Sequence, residues 1–115
     1  MTKVSLTQLR EEMRAVARGE REASPLPAAA VLGALSSPGN LELLQIINRE
    51  RPESVSRLSE LTGRAPSNVS RSLQQLARHG LIRLVRDGKE VRPVSVAARI
   101  DVDLRQGTYR TVAAG

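Results

Sequence analysis

Between Ser54 and Val96 the chain is punctuated by Thr62-Gly63, Pro66, Gly80 and Asp87-Gly88, and these breaks leave little choice of local structure. Ser54 is a helix N-cap residue, and residues 55–61 read as a helix with Val55, Leu58 and Leu61 inward. Thr62-Gly63 breaks that helix. Pro66 suits the first position of the next one, where its missing N–H has no intrahelical partner to lose. This next helix runs to about His79, and Gly80 closes it. Two short helices joined by a tight glycine turn make a helix-turn-helix. After Gly80 the period changes: residues 81–86 and 90–96 are strand-like and flank Asp87-Gly88, a strong hairpin signal.

The remaining segments fit around this unit. Residues 36–40 (SSPGN) are a turn, and residues 41–49 are apolar on most of the helix circumference through Leu41, Leu43, Leu44, Ile46 and Ile47. Such a helix belongs at the centre of the domain. Residues 4–18 predict an amphipathic helix with Leu6, Leu9, Met13 and Val16 on one face, ended by Gly19. Ser5 and Gln8 form a capping box, and Val4 and Leu9 form a hydrophobic staple. Residues 20–27 read as a polar linker. Residues 28–35 are a short apolar element, helix or strand, that is expected to be buried. Ile100, Val102 and Leu104 alternate with Asp101, Asp103 and Arg105, which suggests a further strand. The expected class is α+β, mainly helical. A helical extension (1–35) precedes the main domain (36–105), and a weakly patterned tail (106–115) follows it.

Tyr109 is the one aromatic residue, so the core must be built from Leu, Val, Ile and Ala. The same scarcity argues against a stacking surface for single-stranded nucleic acid or RNA. The net charge is +6 and the sequence pI about 11.2, a balance that favours a polyanionic partner. Residues 64–92 hold Arg64, Arg71, Arg78, Arg83, Arg86, Lys89 and Arg92 against only Asp87 and Glu90, so most of the excess is there. With no cysteine, disulfides and thiolate metal sites are excluded, and a cytoplasmic location is expected. No stretch is long enough to suggest a membrane partner. The single His79 lies at a helix end, where a dipole or phosphate contact suits it better than general-base chemistry. No serine sits in a nucleophile motif, and no glycine-rich phosphate loop is present. The expectation is a non-enzymatic protein without metal or cofactor.

Two surfaces carry the functional signal. On the helix from Pro66, the residues Pro66, Val69, Leu73, Leu76 and Ala77 share the core face. The opposite face holds Ser67, Asn68, Arg71, Gln74, Gln75 and Arg78, without an acidic side chain. Asn and Gln can pair with adenine edges and Arg with guanine, and the missing i,i+4 carboxylates favour an anion-facing surface. If Asp87-Gly88 forms the two-residue loop, Arg86 faces Lys89 and Arg83 faces Arg92. Like-charged cross-strand pairs are mildly destabilising, and an intervening phosphate backbone would explain them.

The motif SVSRLSELTGRAPSNVSRSLQQLARHGLIRLVRDGKEVRP (54–93) resembles the winged helix-turn-helix domain of bacterial and archaeal MarR/ArsR-type regulators. The resemblance covers residues 41–96. It implies a recognition helix in the major groove, with Ser67, Asn68, Ser70 and Arg71 at matching positions, and a wing carrying Arg86, Lys89 and Arg92. Arg64-Ala65 departs from the family's usual apolar residue and capping serine, and Arg64 is expected to reach a phosphate. The chain is similar to short DNA-binding members, some of them antitoxin-like. The expected function is sequence-specific binding of double-stranded DNA as a transcriptional regulator, a repressor and homodimer, in the nucleoid. The alternative is an antitoxin or complex subunit that binds a toxin or other protein partner. The candidate dimer or partner contact is the helix at 4–18.

Overall fold

The computed structural model describes residues 5–8, 10 and 26–113 and shows an α+β protein with more residues in helices than in strands. In order, the elements are β1 (Leu26–Pro27), α1 (Ala28–Ser36), α2 (Asn40–Glu50), α3 (Val55–Thr62), α4 (Pro66–Arg78), β2 (Ile82–Asp87), β3 (Glu90–Ser95), β4 (Arg99–Asp103) and β5 (Thr108–Val112). Strands β2 and β3 form one antiparallel sheet. The other is three-stranded in the order β1-β5-β4.

Local chemistry explains the helix boundaries. Ser54 Oγ accepts from the Arg57 N–H at 3.0 Å and caps α3, which Gly63 ends at φ 69°. Such a cap is worth about 1 kcal/mol. Pro66 occupies the first turn of α4. The capping box near the N-terminus forms as expected: Ser5 N–H donates to Gln8 Oε1 at 3.2 Å, and Gln8 N–H donates to Ser5 Oγ at 3.1 Å. Leu6, Thr7, Gln8 and Arg10 are helical. Val4, Leu9, Met13, Val16 and Gly19 lie outside the described residues.

The core joins every layer. Val31 of α1, Leu43 and Ile47 of α2, Leu58 of α3, and Val69, Leu73 and Leu76 of α4 meet Ile82 and Leu84 of β2 and Tyr109 of β5. All but Leu84 are at most 2% exposed, in keeping with a small core built from aliphatics and one ring.

Three leucines expected to point inward do not. Leu61 is 38% exposed because α3 buries Leu58 and Ser59, with Val55 half-buried beside them, and residue 61 falls outside that stripe. Leu41 is 54% exposed on α2, whose buried stripe is Asn40, Leu43, Ile46 and Ile47. Leu104 is 87% exposed because the strand stops at Asp103. There the Asp103 carboxylate accepts from the backbone N–H of Arg105 at 2.9 Å and of Gln106 at 3.3 Å, which folds a local turn. Hydrogen bonding to the Arg105 side chain, with those backbone bonds, holds the Asp103 pKa below its usual value.

The ends of the domain also differ from expectation. Residues 106–115 were expected as a tail, yet β5 is the central strand of its sheet, pairing Val102 with Tyr109 on one side and Leu26 with Tyr109 on the other. Leu26 and Pro27, expected in a polar linker, are that sheet's edge strand. Residues 28–35 form a helix, and only Ala28, Val31 and Ala34 are buried on it.

The candidate nucleic-acid interface

The turn between α3 and α4 sets the angle at which α4 is presented. Ser59 Oγ donates to the Arg64 carbonyl at 2.5 Å. Thr62 Oγ1 accepts from the Arg64 N–H at 3.3 Å and donates to the Leu58 carbonyl at 3.0 Å. These hydroxyls satisfy backbone groups that a three-residue turn would otherwise leave unpaired. Val69, Leu73 and Leu76 then anchor the inner side of α4.

The outer side of α4 carries Ser67, Asn68, Arg71, Gln74 and Arg78, all exposed, with Ser70 half-buried beside them. Arg71 and Arg78 make no hydrogen bond or ion pair with any side chain among the described residues. Two bare guanidiniums beside amide and hydroxyl groups, on a helix with no carboxylate, make a surface of donors with positive potential.

Two residues placed in this surface from sequence face elsewhere. Gln75 is half-buried, and its Oε1 accepts from Asn40 Nδ2 at 3.0 Å. Asn40 itself is 1% exposed and also donates to the Ala34 carbonyl at 2.8 Å, so one amide joins α1, α2 and α4. Arg64 is half-buried as well. Its Nη2 donates to Ser72 Oγ at 3.3 Å, and its Nη1 is buried without a hydrogen-bond partner. That guanidinium packs on Gly39, where a Cβ would lie 2.9 Å from Nη1 and where φ is 82°; both favour glycine. Arg64 is thus a strut between α4 and the start of α2.

The hairpin has a different register from the one expected. Asp87 pairs with Glu90, Arg86 with Val91, Val85 with Arg92, Leu84 with Pro93 and Arg83 with Val94. The loop is Gly88-Lys89, with positive φ at Gly88 (66°) and not at Lys89, as in the primed hairpin turn that takes glycine first. The shift is by two residues, so Leu84 and Pro93 still share the expected inner face. The anticipated pairs Arg86/Lys89 and Arg83/Arg92 do not face each other, and the like-charged pair at the tip is acidic, Asp87 opposite Glu90. Arg92 reaches back to Asp87 Oδ2 at 2.8 Å, leaving its Nε buried and unpaired. Arg83 is half-buried and engaged in an interaction. Arg86 and Lys89 remain as exposed cations without a partner among the described residues.

The residues that hold this surface in place include several not evident from sequence patterning. Asn40 sat in a turn-like SSPGN run, which gives no sign of a buried amide. Tyr109 Oη donates to the His79 carbonyl at 2.6 Å, tying β5 to the end of α4. Among the described residues, no group of three or more His, Cys, Asp or Glu is placed to hold a metal ion, and no helix is long and apolar enough to cross a membrane.

The protein-family model HVO_A0114 matches residues 35–102, from the end of α1 to β4, and the chain belongs to that family. No curated protein matches it.

Proposed function

We propose that this protein binds double-stranded DNA sequence-specifically as a winged helix-turn-helix transcriptional regulator, acting as a repressor. On this proposal α3 and α4 are the helix-turn-helix, α4 is the recognition helix, and the β2–β3 hairpin is the wing. The observation that carries it is the outer face of α4, where Arg71 and Arg78 stand exposed and unpaired with Ser67, Asn68 and Gln74. A helix of 13 residues is about 20 Å long and fits the major groove end-on or lengthwise. Asn68 and Gln74 suit adenine edges, and Arg71 suits guanine. Arg86 and Lys89 at the hairpin tip supply phosphate contacts. Asp87 and Glu90 beside them restrict the hairpin to an ancillary role.

Arg64, Gln75 and Arg92 act in this scheme by bracing the elements rather than by touching bases, and Ser70 lies at the margin of the surface. An antitoxin or complex-subunit role draws support from a separate feature, the exposed apolar side of α1. Selection of binding sites from random duplexes separates the two. Enrichment of a defined sequence supports the regulator. No enrichment, together with tight binding of a partner protein through the apolar side of α1, supports the partner role.

A further inference from the structure

Two hydrogen bonds from different layers meet at the last turn of α4. Asn40 of α2 donates to Gln75 Oε1, and Tyr109 of β5 donates to the His79 carbonyl at 2.6 Å. His79 is the C-cap, and its carbonyl is one of those that a helix leaves without an N–H partner. The next two N–H groups turn back past it: Gly80, at φ 75°, donates to the Ala77 carbonyl, and Leu81 donates to the Leu76 carbonyl. The Tyr109 hydroxyl takes the carbonyl that they pass over. It belongs to the one aromatic ring of the chain, 1% exposed in the central strand of the β1-β5-β4 sheet. The ring alone would fill that space; what the hydroxyl adds is the tie to α4.

Arg78 stands immediately before that C-cap, exposed and without an ion-pair partner among the described residues. Helix ends fray, and a guanidinium on a frayed turn is spread over many positions, whereas on a fixed turn it is preorganised for one contact. We infer that Tyr109 is a positioning residue for the α4 surface: its hydroxyl holds the last turn of α4 so that Arg78 is presented in one place. The identity of the ligand, duplex DNA, rests on the function proposed above; the hold on the last turn does not. Tyr109 touches no ligand and acts only through this turn. Arg71 lies two turns nearer the N-terminus, between the buried anchors Val69 and Leu73, and is independent of Tyr109.

The test compares wild type with Tyr109→Phe, first without DNA. In amide hydrogen exchange, the Gly80 and Leu81 N–H groups are expected to lose protection by about tenfold more than the Leu73 N–H in the middle of α4. An equal loss along the whole helix would mean that the hydroxyl contributes to global stability alone, and would overturn the proposal. The second part uses a duplex selected from a random pool, at a temperature where every variant is folded. Arg78→Ala is expected to weaken binding at least about fivefold in wild type and less than about twofold in the Tyr109→Phe background. Arg71→Ala is expected to weaken binding by the same factor in both backgrounds, which a general loss of stability does not distinguish from Arg78→Ala. Full additivity of Tyr109→Phe with Arg78→Ala would overturn the positioning role. If wild type binds no duplex, the DNA-binding reading fails, and hydrogen exchange alone decides whether Tyr109 holds the last turn.

Discussion

Asn40 Nδ2 lies 3.0 Å from Gln75 Oε1 and bonds the start of α2 to the last turn of α4 across 35 positions of sequence. The same nitrogen holds the Ala34 carbonyl at 2.8 Å. A buried amide with both donors used is costly to replace. Asn40→Ala is expected to lower stability by about 1–3 kcal/mol. Asn40→Asp should be worse, because it sets a carboxylate against two acceptor oxygens. Gln75→Ala should cost about 1 kcal/mol and leave base preference unchanged, since its side chain is turned inward. Chemical denaturation of the three variants checks the order, and an altered base preference in Gln75→Ala would return that residue to the binding face.

Tyr109 is buried and donates to the His79 carbonyl at 2.6 Å. Burial raises its pKa above the ordinary 10.0. Folding therefore favours the neutral phenol: this contribution is fully present below about pH 10 and is lost as pH rises through the folded-state pKa. As the only tyrosine, it gives an unambiguous absorbance change near 295 nm. Its ionisation is expected to coincide with alkaline unfolding. Tyr109→Phe should lose about 1 kcal/mol at neutral pH through the unpaired carbonyl. Ionisation at an ordinary pKa without unfolding would contradict this account.

Arg86 and Lys89 project from the hairpin tip, where the backbone or minor groove is the expected contact. Arg86→Ala should weaken binding to selected and random duplexes alike and reduce the slope of log K against log salt by about one. Arg92→Ala behaves differently, because Arg92 is paired with Asp87 at 2.8 Å. It should disturb the hairpin and unpair Asp87 beside Glu90, weakening binding with little change in slope. Titrations at several salt concentrations distinguish the two.

The boundaries of α3 and α4 and the Ser5–Gln8 capping box were legible because each depends on one or two neighbouring residues: Ser54, Gly63, Pro66, Gly80. The alternation that assigned Leu84 and Pro93 to one face was legible for the same reason. The hairpin register was not, because Asp87-Gly88 can place its glycine at either central position of a two-residue loop. Strand β5 was hidden because Thr108–Val112 shows no clean apolar alternation; its burial comes from pairing with Val102 and Leu26, far away in sequence. Helical periodicity assigned Arg71, Gln74 and Gln75 one common face. It gives an angle around the axis but cannot reveal that Asn40 stands opposite Gln75, or that Gly39 leaves room for the Arg64 guanidinium.

Arg71 stands exposed and unpaired on α4, one turn beyond Ser67, and the proposed function assigns it to a base edge. The most direct measurement is the affinity of wild type and Arg71→Ala for a duplex selected from a random pool and for a scrambled duplex of equal composition, at one salt concentration. Arg71→Ala is expected to lose about 1–3 kcal/mol on the selected duplex and much less on the scrambled one, with thermal stability unchanged. Equal losses on the two duplexes, or a pool from which no sequence can be enriched, would contradict sequence reading by α4.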